Sequence, residues 1–314
     1  MEKQNSSISN FSRFFLRILI PLVLAVGIIG FAFNLYFEKN IILKSQTNGA
    51  YKINRILHET DEDEIPIFGS SRAEMGYIPD SIGPNYFNYG LYGAMYDVTI
   101  FFLKEECKKR KSKPWILINL DLVGLQYGID DIANYIYNAD NADVKELLGE
   151  NYKPYFKIPF LKYFGRYENY FRSYLTKKIE ITKVTNKGAT LEKQKILASE
   201  FEKLIKQRQA AIPMFHVEPK LKAQLLELIA AHPERTFVFV IAPYHSCCFP
   251  SNFDFGPIEA LNRDLVQYPN SKLLDFSKMS LGNDMFFNTT HLNYSGAVVF
   301  SRCLRDTLQK MGMK

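Results

Sequence analysis

The chain has 314 residues, 47% of them hydrophobic and 14% aromatic, with a net charge of +6. That composition excludes an intrinsically disordered chain and allows a large buried core. The modest charge, with no nucleic-acid motif and no continuous basic stripe, excludes nucleic acid as the expected partner.

The first predicted element is an apolar run. Residues 18–37, ILIPLVLAVGIIGFAFNLYF, carry no charge and have about the twenty residues that a membrane-spanning helix needs. No small-x-small cleavage site follows, so the run is predicted to be an uncleaved, single-pass signal anchor. Lys3, Arg13 and Arg17 precede it and put residues 1–17 in the cytoplasm, although Lys39 and Lys44 follow closely. Residues 38–60 read as a stalk, and the acidic run at 58–64, HETDEDE, as a solvated loop.

Residues 61–314 carry an α/β pattern. Strands are expected at 65–68 (IPIF), 86–89 (YFNY), 115–122 (WILINLDL), 236–242 (TFVFVIA) and 272–276 (KLLDF). Helices are expected at 95–107, 217–231 and 294–311, the first ending in a basic cluster (Lys108, Lys109, Arg110, Lys111) that suits a helix C-terminus. Near-continuous apolar strands alternating with helices predict a three-layer α/β sandwich around a parallel sheet. In such a sheet, ligands bind at the carboxyl ends of the strands.

Residues 129–212 interrupt this rhythm and read as a mostly helical insertion. Phe160, Tyr163, Phe164, Tyr167, Tyr170, Phe171 and Tyr174 recur at helical spacing and form one aromatic face. Packing onto the α/β core is the expectation for that face; a lid over the site or a surface against lipid headgroups are the alternatives.

The chemistry-bearing residues lie far apart. Ser71 follows the first strand in Gly69-Ser70-Ser71-Arg72, where a strand-to-helix turn holds a hydroxyl out of the sheet and aims backbone N–H groups at an oxyanion. A serine needs a base to remove its proton. His291, one of five histidines, precedes the last helix in Asn288-Thr289-Thr290-His291-Leu292-Asn293-Tyr294-Ser295-Gly296 and is the candidate base. Alone, each has a plainer use, the serines as helix caps and the histidine as a structural hydrogen-bonding group. His245, in the turn after residues 236–242, is a weaker candidate for binding substrate. Cys107, Cys247, Cys248 and Cys303 lack metal-ligand spacing, and one bridge among them is open in an extracytoplasmic domain. No P-loop, dinucleotide fingerprint or metal-spaced cluster occurs, so neither a cofactor nor a metal is expected.

Gly69-Ser70-Ser71, Asn88-Tyr89-Gly90-Leu91-Tyr92-Gly93 and the His291 block together resemble, in order, the motif blocks of the SGNH (GDSL-like) hydrolase superfamily. More narrowly they are similar to its membrane-anchored branch, which includes proteins of alginate O-acetylation and teichoic-acid D-alanylation. The resemblance spans roughly residue 65 to the C-terminus. It implies a flavodoxin-like sheet, Ser71 as nucleophile, His291 as base, and the Ser71 and Gly93 N–H groups as oxyanion donors. Arg72 and Asn88 are further, weaker candidates for binding substrate. Two blocks depart from the pattern. Asn288 stands where the superfamily has the aspartate that orients the histidine, with Asp284 or Asp275 as spatial substitutes. No Gly-x-Asn follows the third strand, and neither Asn119 nor Asp121 is a clear replacement.

The expected function is a membrane-anchored, extracytoplasmic serine esterase or acyltransferase that works on acyl esters of a cell-surface polysaccharide through an acyl-serine. A membrane-bound O-acyltransferase is the expected partner. Asn288 and Asn293 head N-glycosylation patterns where glycans would obstruct the site, which favours a bacterial envelope. The alternative is a non-catalytic scaffold or glycan-binding protein of the same fold.

Overall fold

The computed structural model describes residues 14–176, 187–193, 197–209, 215–249 and 251–313. Lys3, Arg13 and the middle of the insertion lie outside the described residues. The first helix among the described residues is α1 (Phe15–Ile42), 28 residues long and apolar enough to cross a membrane. At about 1.5 Å per residue it spans about 42 Å.

Five strands form one parallel sheet: β1 (Ile65–Phe68), β2 (Tyr86–Asn88), β3 (Trp115–Asn119), β6 (Thr236–Ile241) and β7 (Ser271–Asp275), in the spatial order β2-β1-β3-β6-β7. Two short strands, β4 (Gly124–Leu125) and β5 (His216–Val217), pair separately. They carry no apolar alternation, and the sequence did not reveal them. Pro66 is tolerated inside β1 because β1 meets β3 only from Ile67 onward, so its missing N–H forfeits no bond there.

Side-chain alternation builds the two faces. Ile116, Ile118, Phe237, Phe239 and Ile241 point to one core, with α2 (Gly49–His58), α4 (Tyr96–Cys107), α7 (Pro219–Ala231) and α8 (Gly256–Leu265) above them. Leu117, Val238 and Val240 point to the other, covered by α3 (Ser71–Gly76) and α9 (Tyr294–Lys310). The expected stalk is instead part of the fold: in α2, Lys52, Ile53 and Ile56 are all fully buried. Nor is the acidic run wholly solvated, since Glu64 is buried, ion-paired to Arg55 and bonded by the Tyr89 hydroxyl at 2.6 Å. The basic cluster is consumed locally, with Lys109 and Lys111 both paired to buried Glu106.

Within the insertion, the described helices are led by α5 (Tyr167–Thr176) and α6 (Ala198–Gln209). Among its described side chains, the aromatic face packs on α1 and not on the α/β core; the Tyr174 side chain lies outside the described ones. Tyr163, Tyr167, Tyr170 and Phe171 close around Phe37 of α1, with ring centroids 5.0–5.6 Å away. The periodicity showed that a face exists; the apolar helix far upstream covers it. No disulfide joins any of the four cysteines.

Candidate active site

The sheet order reverses between β1 and β3, so their carboxyl ends diverge into a crevice, the usual ligand position in open parallel sheets. Gly69 ends β1 with φ +145°; a Cβ there would lie 2.8 Å from the Asn119 Cβ and 2.9 Å from the Ala73 Cβ. Only glycine permits the turn. Ser70 caps α3, its Oγ accepting from the Arg72 N–H at 3.2 Å, and its hydroxyl donates to Asp121 Oδ2. That leaves Ser71, the first residue of α3, with its hydroxyl turned to the crevice.

The Ser71 Oγ lies 2.8 Å from His291 Nε2, across 220 residues of sequence. The loop before α9 holds the histidine. The Asn288 side-chain oxygen accepts from the N–H groups of Thr290 and His291, both at 2.9 Å. These two donors fix the oxygen, not the amide nitrogen, toward the ring. His291 Nδ1, at 3.0 Å from that oxygen, must therefore carry the proton, and Nε2 is left to accept from Ser71. Thr290 Oγ1 lies 3.1 Å from the same Nδ1. Neither Asp284 nor Asp275 bonds to the ring; Asp275 accepts from the Ser277 N–H instead. Burial, and secondarily the Arg72 guanidinium, pull His291 down to about 4. It is a neutral base at physiological pH.

The second side of the crevice offers backbone donors. Gly93 has φ +77° and lines the crevice with Ser71, Met95, Leu122, Val123 and Tyr244, among others, around about 320 Å³. Among the described residues, neither the Ser71 nor the Gly93 N–H is used in a hydrogen bond. Asn119 is buried, its Nδ2 donating to Asp121 Oδ1 at 2.7 Å and its Oδ1 accepting from the Tyr77 hydroxyl at 2.9 Å.

The three expected substrate ligands spend their polar atoms on the protein itself, Arg72 while lining the crevice. Arg72 is 7% exposed and clamps protein to protein: Nη1 donates to the Thr290 carbonyl, and Nη2 to the carbonyls of Ala242 and Pro243 at 2.9 and 3.0 Å. Its Nε lies 3.1 Å from Asp121 Oδ1, an ion contact without hydrogen-bond alignment, and its guanidinium stacks on the Tyr244 ring. Asn88 is fully buried and ties down the end of α3 through the carbonyls of Ala73 and Tyr77. His245 accepts from the Cys247 N–H, bonds Asn283 and packs edge-on to Phe201 and Phe286. The residues that sequence reasoning did not assign to the site, Asp121 and Tyr244, lie just past β3 and β6; their position at strand carboxyl ends was the available signal.

A larger groove of about 660 Å³ lies at β7 beside Phe255, Asp275 and Lys278, without a nucleophile–base pair. Among the described residues, no group of three or more His, Cys, Asp or Glu is placed to hold a metal ion. No protein-family model matches the chain, and no curated protein matches it.

Proposed function

We propose that the chain is a membrane-anchored, extracytoplasmic serine esterase or acyltransferase with an SGNH-like, flavodoxin-like domain, acting on acyl esters of a cell-surface polysaccharide. The observation that carries the reading is the 2.8 Å contact between Ser71 Oγ and His291 Nε2. The spatial order of the five parallel strands, 2-1-3-4-5 when they are counted along the chain, supports the flavodoxin-like assignment. The apolar α1 supports the anchor.

The chemistry runs in two displacements. Ser71 Oγ attacks the acyl carbonyl while its proton passes to His291 Nε2. The oxyanion is held by the N–H groups of Ser71 and Gly93. The tetrahedral intermediate expels the alkoxide of the donor, which takes the proton from the imidazolium, leaving an acyl-serine. A sugar hydroxyl or water then gives its proton to Nε2 and attacks; the tetrahedral intermediate expels Ser71 Oγ, which takes that proton back from Nε2, releasing the new ester or the acid. A membrane-bound O-acyltransferase is the partner that fits as source of the acyl group.

The test is fluorophosphonate labelling of the full-length protein in detergent, beside Ser71→Ala and His291→Ala. Labelling of the wild type should vanish in Ser71→Ala and slow by at least about 10³-fold in His291→Ala. A folded wild type that resists labelling removes the enzyme reading. It would favour a non-catalytic envelope scaffold, the reading to which the uncharged Asn288 and the committed Asn119 lend support.

A further inference from the structure

We infer that residues 152–167 form a collar that dips into the outer face of the lipid bilayer around the exit of α1. This rests on the reading of α1 as a membrane span. The segment, YKPYFKIPFLKYFGRY, contains four cationic and no acidic side chains among its aromatic and aliphatic ones. Aromatic rings with interleaved cations are the composition of segments that lie in a membrane interface.

Its placement agrees. Phe160 is held at φ +71°, a conformation a bulky residue seldom takes, and its side chain lies against Gly30. A Cβ on Gly30 would meet the Phe160 Cβ at 3.3 Å. Gly30 is about 10 Å along the axis from Phe37, back toward the apolar middle of α1. Glu38, where α1 turns polar, is eight residues or about 12 Å from Gly30, so the collar reaches slightly deeper than the about 5–10 Å of interfacial segments.

The outward surface is apolar and uncovered: Ile158, Phe160, Leu161 and Phe164 are 48, 52, 40 and 74% exposed. On α1, Ile28, Ile29 and Phe31, which flank Gly30 in sequence, are exposed as well. Such a patch needs a partner. Lipid suits it because the turn satisfies its own backbone, as a boundary of low polarity demands. The N–H groups of Lys162, Phe164 and Arg166 each reach a carbonyl inside the segment at 2.9 Å, and the Tyr167 hydroxyl reaches the Phe160 carbonyl at 2.8 Å. Lys162 meanwhile pairs with Glu38 at 3.0 Å, tying the collar to the end of the span.

The full-length chain in phosphatidylcholine vesicles tests this. Trp115 is the single tryptophan, so Phe164→Trp is made in a Trp115→Phe background, with Val26→Trp in the same background as a reference for α1. The Phe164→Trp indole is expected to lose emission with lipids brominated near the headgroup and to be shielded from iodide. Val26→Trp is expected to lose emission with lipids brominated deep in the chain. A Phe164→Trp indole quenched by iodide and not by lipid, while Val26→Trp is quenched by lipid, overturns the collar and leaves the anchor standing. Lipid quenching of neither indole overturns the span, and the collar with it. Shielding of Phe164→Trp only after a second membrane protein is added assigns the patch to that protein and overturns the lipid assignment.

Discussion

The two sides of the crevice at Ser71 are built to different standards. On the base side every polar atom of the His291 ring is engaged, by Ser71, Asn288 and Thr290, and the loop carrying it is pinned by Arg72. On the side proposed to hold the oxyanion, the N–H groups of Ser71 and Gly93 make no hydrogen bond among the described residues, and Asn119 is turned into the structure. The contrast teaches that the orientation of the base survives without a carboxylate, whereas its charged form is left unsupported. The imidazolium would meet burial, a neutral amide and a nearby guanidinium.

Arg72 joins the two sides, so its removal should have the largest effect. Arg72→Met strips the carbonyls of Thr290, Ala242 and Pro243 of their donor and leaves Asp121 without its cation. Breaking a buried pair of this kind costs about 3–5 kcal/mol. A matching drop in the urea midpoint is expected. Arg72→Lys should not recover it, because an ammonium lacks the planar fork that serves several acceptors at once. Stability within about 1 kcal/mol of wild type in Arg72→Met would show that the clamp is dispensable.

Gly93→Ala probes the thinner side. The added Cβ would meet only the Asp130 Cβ, at 3.9 Å, so no clash arises. The cost is conformational, about 1–2 kcal/mol at a left-handed position, and the loop relieves it by rotating the peptide. The donor then leaves the oxyanion position. Labelling should slow by roughly 10²-fold, the usual loss for one such donor, with little change in thermal unfolding. Equal labelling rates would remove Gly93 from the oxyanion site.

Much of this arrangement was legible in the sequence, for a local reason. Apolar runs such as TFVFVIA announce buried strands, and a glycine-serine turn after one of them announces an exposed hydroxyl. What stayed hidden was set by partners distant in sequence. An arginine beside a nucleophile reads as a substrate ligand until its acceptors, carbonyls 170 to 218 residues away, come into place. Asn88 and His245 pose the same problem: short-range patterns cannot tell a polar group aimed at a ligand from one bonded to the protein itself. The aromatic face of the insertion was visible, but its cover, Phe37, belongs to a helix that reads as self-contained. The missing motif carboxylate was legible, whereas the spatial substitutes weighed for it, Asp284 and Asp275, do not reach the ring.

Asn288→Asp sharpens the comparison most directly, by giving the base side the charge it lacks. In the wild type His291 is neutral above about 4, so the labelling rate should rise as pH passes about 4 and stay level to neutrality. The new carboxylate would take the place of an oxygen 3.0 Å from Nδ1, and the backbone N–H groups of Thr290 and His291 would still hold it. An adjacent negative charge favours the imidazolium, so the base must hold its proton to higher pH. The acid limb is expected to move up by at least about one unit, worth about 1.4 kcal/mol of imidazolium stabilisation. The plateau rate should rise with it, because the proton leaving Ser71 then passes to a stronger base. A limb that stays near 4 would mean that the residue at 288 orients the ring without governing its charge, and that burial beside Arg72 alone sets the strength of this base.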